Sequence, residues 1–131
     1  MTEDNFSTYT KEVINHFINP KNMGEIKNAD GIGEVGNIKC GDVMRVSFKL
    51  DKEKNKIEDI KFKTFGCVAA IAASDVLCDL TKGKTIEQAK KISNKDIRET
   101  LKGLPSIKIH CSVLGVGALK KAIEDYERKD G

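Results

Sequence analysis

The chain has no Cys-x-x-Cys pair, only two prolines, eleven scattered glycines, no long apolar run and almost no net charge. Each absence removes a class of function. The apolar run from Gly66 to Ala73 falls far short of the roughly 20 residues that a membrane-spanning helix requires, so no membrane partner is expected. The 23 basic and 20 acidic side chains leave a formal charge of +3, too balanced to suggest a nucleic-acid partner. The polar, acidic start Met1-Thr2-Glu3-Asp4-Asn5 lacks the basic and then apolar segments of a secretory signal, which makes the cytoplasm the expected location. With no linker, internal repeat or low-complexity tract, residues 1–131 are expected to form a single domain. One core of this size buries roughly two thirds of the surface that the unfolded chain exposes.

What is present reads as a two-layer α+β domain. Tyr9, Val13, His16 and Phe17 form one stripe of a helix that Ser7 or Thr8 can cap and Asn19-Pro20 ends. Ile32 to Ile38 reads as a glycine-interrupted strand. Met44, Val46, Phe48 and Leu50 alternate with polar neighbours in a second strand, and Ile60, Phe62 and Thr64 do so in a third. Asp51 to Lys56 is the hairpin loop between these two, which should pair antiparallel. The alanine-rich stretch from Cys67 to Leu80 predicts a helix with Gly83 just past its end. Thr85 to Gln88 has the form of a capping box, and Ser93 or Asn94 starts another short helix that Gly103 stops. Pro105 suits the opening turn of a last helix with Ile107, Cys111, Leu114, Ala118 and Ala122 on one face. A small three-stranded antiparallel sheet covered by four to five helices follows, with candidate ligands at one end.

Those candidates are Cys40, Asp42, Cys67, His110 and Cys111. Cys40-Gly41-Asp42 puts a thiol and a carboxylate on a glycine-bent turn. Gly66-Cys67 places a thiol where unpaired helix amides favour its anion, and His110-Cys111 adds an imidazole beside a third thiol. Thiolates with an imidazole suit zinc, copper(I) or an iron-sulfur cluster. Five candidates for about four coordination positions suggest exchange rather than permanent binding. Spacing alone is a weak signal, since 26 residues separate Cys40 from Cys67 and 43 separate Cys67 from Cys111. Cys78 lies about 16 Å along the same predicted helix from Cys67 and reads as core. His16 reads as a hydrogen-bonded interior or boundary histidine. Gly31 to Gly36 fits G-x-G-x-x-G but leads into a strand and opens no helix, so it is no phosphate site.

Taken together, five segments resemble the U-type iron-sulfur cluster scaffold proteins, IscU and the N-terminal domain of NifU. They are YTKEVINHFINPKNMG (Tyr9 to Gly24), CGDV (Cys40 to Val43), FKTFGCVAAIAA (Phe62 to Ala73), KGKT (Lys82 to Thr85) and LPSIKIHCSVL (Leu104 to Leu114). The resemblance implies an α+β fold and a site of Cys40, Asp42, Cys67, His110 and Cys111 that holds a cluster, [2Fe-2S] by expectation, with zinc in the empty site. It implies a scaffold rather than a conventional enzyme. A cysteine desulfurase would deliver persulfide sulfur with Cys111 as acceptor, a ferredoxin electrons and an iron donor iron, and the cluster would pass to apo iron-sulfur proteins. Leu104 to Lys108 resembles the segment gripped by an Hsp70-type chaperone, with Ser106 where the family motif usually has a second proline. Val68 stands where glycine is usual, and Gly115-Val116-Gly117 replaces a more polar stretch. The rival within the resemblance is the SufU branch, a zinc-holding sulfur relay. That branch carries an insertion between the second and third cysteines and a lysine in place of His110. A third reading is a small interaction domain whose zinc is purely structural.

Overall fold

A computed structural model describes residues 9–37, 42–104 and 109–130, with Asn37, Asp42, His110 and Asp130 described by their backbone alone. The first helix, α1 (Lys11–Ile18), is capped by Thr10, whose hydroxyl accepts from the Val13 amide and donates to the Leu101 carbonyl. The cap is therefore Thr10 and not Ser7 or Thr8, because this hydroxyl also ties the helix start to a distant turn. The three strands are β1 (Gly31–Asn37), β2 (Asp42–Asp51) and β3 (Lys56–Phe65), in the order β1-β2-β3. Both pairs are antiparallel, with Gly33 opposite Val46 and Val46 opposite Phe62. The alternation seen in the sequence sets the core face, where Met44, Val46, Phe48, Leu50, Ile60 and Phe62 are buried. The β2–β3 turn is narrower than expected, and Ile57 already pairs with Leu50.

Helix α2 (Val68–Thr81) is buried on most of its sides: Ala69, Ala70, Ala72, Ala73, Val76 and Leu77 are all covered. Alanine combines high helix propensity with the small size that lets neighbours approach from several directions. Beyond it Gly83 adopts φ +85°, the left-handed conformation that ends helices cheaply only at glycine. Capping boxes at Thr85 and Ser93 open α3 (Ile86–Lys90) and α4 (Asn94–Thr100). Lys102 and Gly103 then take positive φ in succession and stop the chain from continuing as helix.

The last helix, α5 (His110–Asp130), starts at His110. The expected placing of Pro105 and Ile107 in it falls outside the described residues. It crosses β1 so closely that a Cβ on Gly33 would lie 2.2 Å from the Ala118 carbonyl oxygen and 2.3 Å from the Ala122 nitrogen. Gly31 meets the Ala122 oxygen at a similar 2.3 Å. The glycines that mimic a phosphate-binding fingerprint thus serve a contact between two backbones. Asp125 on α5 accepts from the Ile32 amide, which draws its carboxyl below the usual range. Among the described residues no helix is long and apolar enough to cross a membrane.

Candidate functional site

Two helix starts meet at one end of the sheet. Cys67 is the N-cap of α2, with φ −84° and ψ −177°, an extended residue between β3 and the helix. Its side chain makes no capping hydrogen bond and is half-buried. Cys111 lies in the first turn of α5 and is fully buried. The two Sγ atoms are 4.0 Å apart, and no disulfide joins Cys67, Cys78 or Cys111. Both cysteines stand at helix starts, where the first backbone amides have no partner within the helix.

The backbone brings two more expected residues to this end. His110 precedes Cys111 directly as the first residue of α5. Asp42 opens β2, and since Val43 is paired with Phe65, its place in the strand is beside Gly66 and Cys67. Asp42 is also the register partner of Asn37, so β1 ends and β2 begins at this same end. Cys40 lies outside the described residues. Of the five expected residues, the structure sets the sulfurs of two side by side and the backbones of two others next to them.

Cys78 has a different environment. It is fully buried in α2, and burial above all, with Asp75 and Asp79 adding to it, pushes its thiol well above the ordinary 9.0. A thiol held protonated in a closed core is inert, as the sequence reading expected.

His16 is a hydrogen-bonded boundary histidine, again as expected, but its partner was not read from the sequence. Its Nδ1 lies 2.6 Å from Oδ2 of Asp75, whose side chain is 1% exposed. The other Asp75 oxygen accepts from the backbone and side-chain nitrogens of Asn22 at 2.9 and 3.0 Å, and Asn22 Nδ2 also reaches Asp79 at 2.9 Å. His16, Asp75 and Asp79 offer ligand atoms within 4.8 Å of one another, yet both Asp75 oxygens already accept hydrogen bonds. We read the group as a clamp that fastens α1 and the segment after it to the middle of α2. An aspartate just after the alanine-rich run of α2 was the available sequence signal, since a buried carboxylate requires partners.

Beside the cysteine pair an open groove of about 380 Å³ runs along the outer face of the sheet. Val43 and Phe65 lie in it with Met23, and Arg45 and Lys63 border it. Phe65 is 79% exposed and Met23 44% exposed, so apolar side chains face solvent along this groove.

The family described as NifU-like N terminal domain matches residues 8–131. The iron-sulfur cluster assembly scaffold protein IscU 1 of Archaeoglobus fulgidus is 53% identical over 123 residues, covering 94% of this chain and 79% of that protein. The scaffold protein IscU of Azotobacter vinelandii is 48% identical, covering 94% of this chain and 97% of its own length. Among solved structures, a protein described as a cluster assembly scaffold for the SUF system of Fervidobacterium islandicum superposes with a TM-score of 0.74. That match covers 89% of this chain and 97% of the other, at 24% identity, and so shows the fold alone.

Proposed function

This chain belongs to the NifU-like N-terminal domain family, and we propose that it is a scaffold on which an iron-sulfur cluster is assembled and from which the cluster is passed to apo-proteins. The observation that carries this reading is the sulfur pair of Cys67 and Cys111, 4.0 Å apart where two helices begin, in a chain about half identical to proteins named as such scaffolds. A conventional enzyme keeps its catalytic groups and releases its product, whereas this set of ligands holds the product itself as cargo.

In this reading Cys40, Asp42, Cys67, His110 and Cys111 form the ligand set, and the cluster is [2Fe-2S]. Thiolates bind iron and sulfide strongly, while the carboxylate of Asp42 is a harder and weaker partner in such a cluster. One labile corner of this kind lets a recipient's thiolate enter and displace the scaffold ligand by ligand. Zinc fits the same soft donors in the empty site. Sulfur arrives as persulfide from a cysteine desulfurase with Cys111 as acceptor, a ferredoxin supplies electrons and an iron donor supplies iron. Leu104 to Lys108 is the segment for an Hsp70-type chaperone, and the setting is the cytoplasm.

The rival reading is a zinc-holding sulfur relay of the SufU kind, and the fold does not separate the two, since a protein of the SUF system shares it. The chain's own residues do. The interval from Cys67 to Cys111 carries no insertion, and His110 stands where the relay branch has lysine. Anaerobic incubation with ferrous iron, cysteine and a cysteine desulfurase, followed by absorption and Mössbauer spectra, tests the scaffold reading. The expected result is a [2Fe-2S] spectrum and transfer to an apo-ferredoxin. Sulfur uptake without any cluster, in a chain that keeps one tightly bound zinc, would sink it.

A further inference from the structure

The Cys67 and Cys111 sulfurs, drawn from positions 44 residues apart, stand 4.0 Å from each other. A disulfide bond measures about 2.05 Å, so roughly 2 Å of closure separates the pair from covalent contact. Closing that distance takes a change of χ1 rotamer at one of the two cysteines, a step from one staggered well to another. The two thiols differ in access: Cys111 is fully buried and Cys67 half-buried.

We propose that this pair is a built-in two-electron reductant that releases sulfide from a persulfide. When Cys111 carries a persulfide, its inner sulfur is the atom that lies 4.0 Å from Cys67. Cys67 attacks that sulfur, the Cys67–Cys111 disulfide forms, the bond within the persulfide breaks, and the outer sulfur leaves. In balance, one thiol and one persulfide give one disulfide and one hydrogen sulfide. The thiol proton and the persulfide proton both depart on the sulfide. The two cysteine thiols have together been oxidised to a disulfide, and the sulfane sulfur has been reduced to sulfide.

A dithiol reductant then restores both thiols by attacking the disulfide at Cys67, the half-exposed sulfur. Cys78 takes no part, since it is sealed in the core eleven residues further along α2. The step rests on the scaffold reading in that it supplies, from within the chain, the sulfide that a cluster requires, and it adds a dithiol route to sulfide beside the electrons that reading draws from a ferredoxin.

The test uses the full chain, freed of metal with a chelator and loaded anaerobically with glutathione persulfide. Sulfide is measured over time and disulfides are mapped by mass spectrometry of unreduced peptides. The expected result is stoichiometric sulfide together with a Cys67–Cys111 disulfide. Cys67→Ser and Cys67→Ala should release sulfide at least roughly tenfold more slowly and retain the extra sulfur on Cys111, because the attacking thiol is gone. Cys78→Ser should match the parent.

A parent chain that holds its persulfide as long as Cys67→Ser does overturns the proposal, and so does a disulfide that joins Cys40. Circular dichroism identifies a variant that has lost its fold, and the parent's own disulfide map then decides. Supplying the parent with ferrous iron and inorganic sulfide separates the two readings. Cluster formation under those conditions, with no sulfide release from the persulfide, removes the dithiol step and leaves the scaffold standing.

Discussion

The start of α2 and its last turn each carry a cysteine, one before a run of alanines and the other between Leu77 and Asp79, and they serve opposite ends. At the tip, Cys67 is half-buried at a helix start with another sulfur at 4.0 Å. Eleven residues further on, Cys78 is sealed in the core beside a carboxylate whose hydrogen bonds are all made. The same thiol has a second sulfur within reach at a helix start, and is a small hydrophobe where desolvation keeps its proton on. Position along the helix, more than residue type, decides between chemistry and packing.

The sharpest way to break this comparison is to exchange serine for each cysteine in turn. Cys67→Ser and Cys111→Ser should lower cluster yield at least roughly tenfold, a loss no smaller than those caused by removing outer-shell partners of metal ligands. Cys78→Ser should assemble clusters like the parent, as read by absorption after reconstitution. The reverse pattern would show that the tip and the core had been confused.

The middle of the helix is probed through Asn22, because Asn22→Ala removes the side-chain amide that donates to the buried Asp75 carboxylate, to the Asp75 carbonyl and to Asp79. The backbone donor survives, so the side-chain loss should cost about 2–3 kcal/mol in urea unfolding. Cluster-binding thiols should be untouched in the folded fraction. A loss of cluster without a loss of stability would mean that the clamp belongs to the site.

Cys78 also leaves a mark on the pH dependence. Its thiol is raised in the folded state by burial, so the native chain holds this proton more tightly than the unfolded chain does. That contribution is fully present below the unfolded value near 9.0 and is lost as the pH climbs above it. Unfolding free energies measured from pH 7 to 10 should therefore fall more steeply for the parent than for Cys78→Ala. Parallel curves would remove the desolvated thiol from the comparison.

The smallest effect concerns the rim of the site. Asp42→Ala should still assemble a cluster, with His110 or an added thiol in the vacancy, and surrender it a few-fold more slowly to an apo-acceptor in stopped-flow transfer, since a soft ligand replaces a hard one. Release as fast as the parent's would show that lability resides elsewhere.

The parts of the fold that local pattern determines were legible in the sequence. Met44, Val46, Phe48 and Leu50 mark their own strand, Thr85 and Ser93 their own caps, and Cys67 the boundary of α2. What could not be read depends on partners remote in the chain. Thr10 won the cap of α1 partly through the Leu101 carbonyl, 91 residues away. Gly31 and Gly33 were read only as a chance fingerprint leading into a strand, because the reason for them is the backbone of α5. Asp75 was passed over at the end of the alanine-rich run, since its partners His16 and Asn22 precede it by more than fifty residues. At the site, residue chemistry pointed to Cys67 and Cys111, and only folding could bring two sulfurs so far apart in sequence within 4.0 Å.

The close crossing of β1 and α5 also sets the position of the sulfur pair. Backbone meets backbone at Gly33 and Ala118 with no side chain between them, so the height of α5 above the sheet is fixed there. Cys111 lies seven residues nearer the helix start than Ala118, about 10 Å away at 1.5 Å per residue. A side chain at Gly31 or Gly33 would lift the helix at the crossing, and the start of the helix would be carried with it. The glycines of β1, which carry no chemistry of their own, thereby gauge how closely the sulfur on the longest helix approaches the one just past the end of β3.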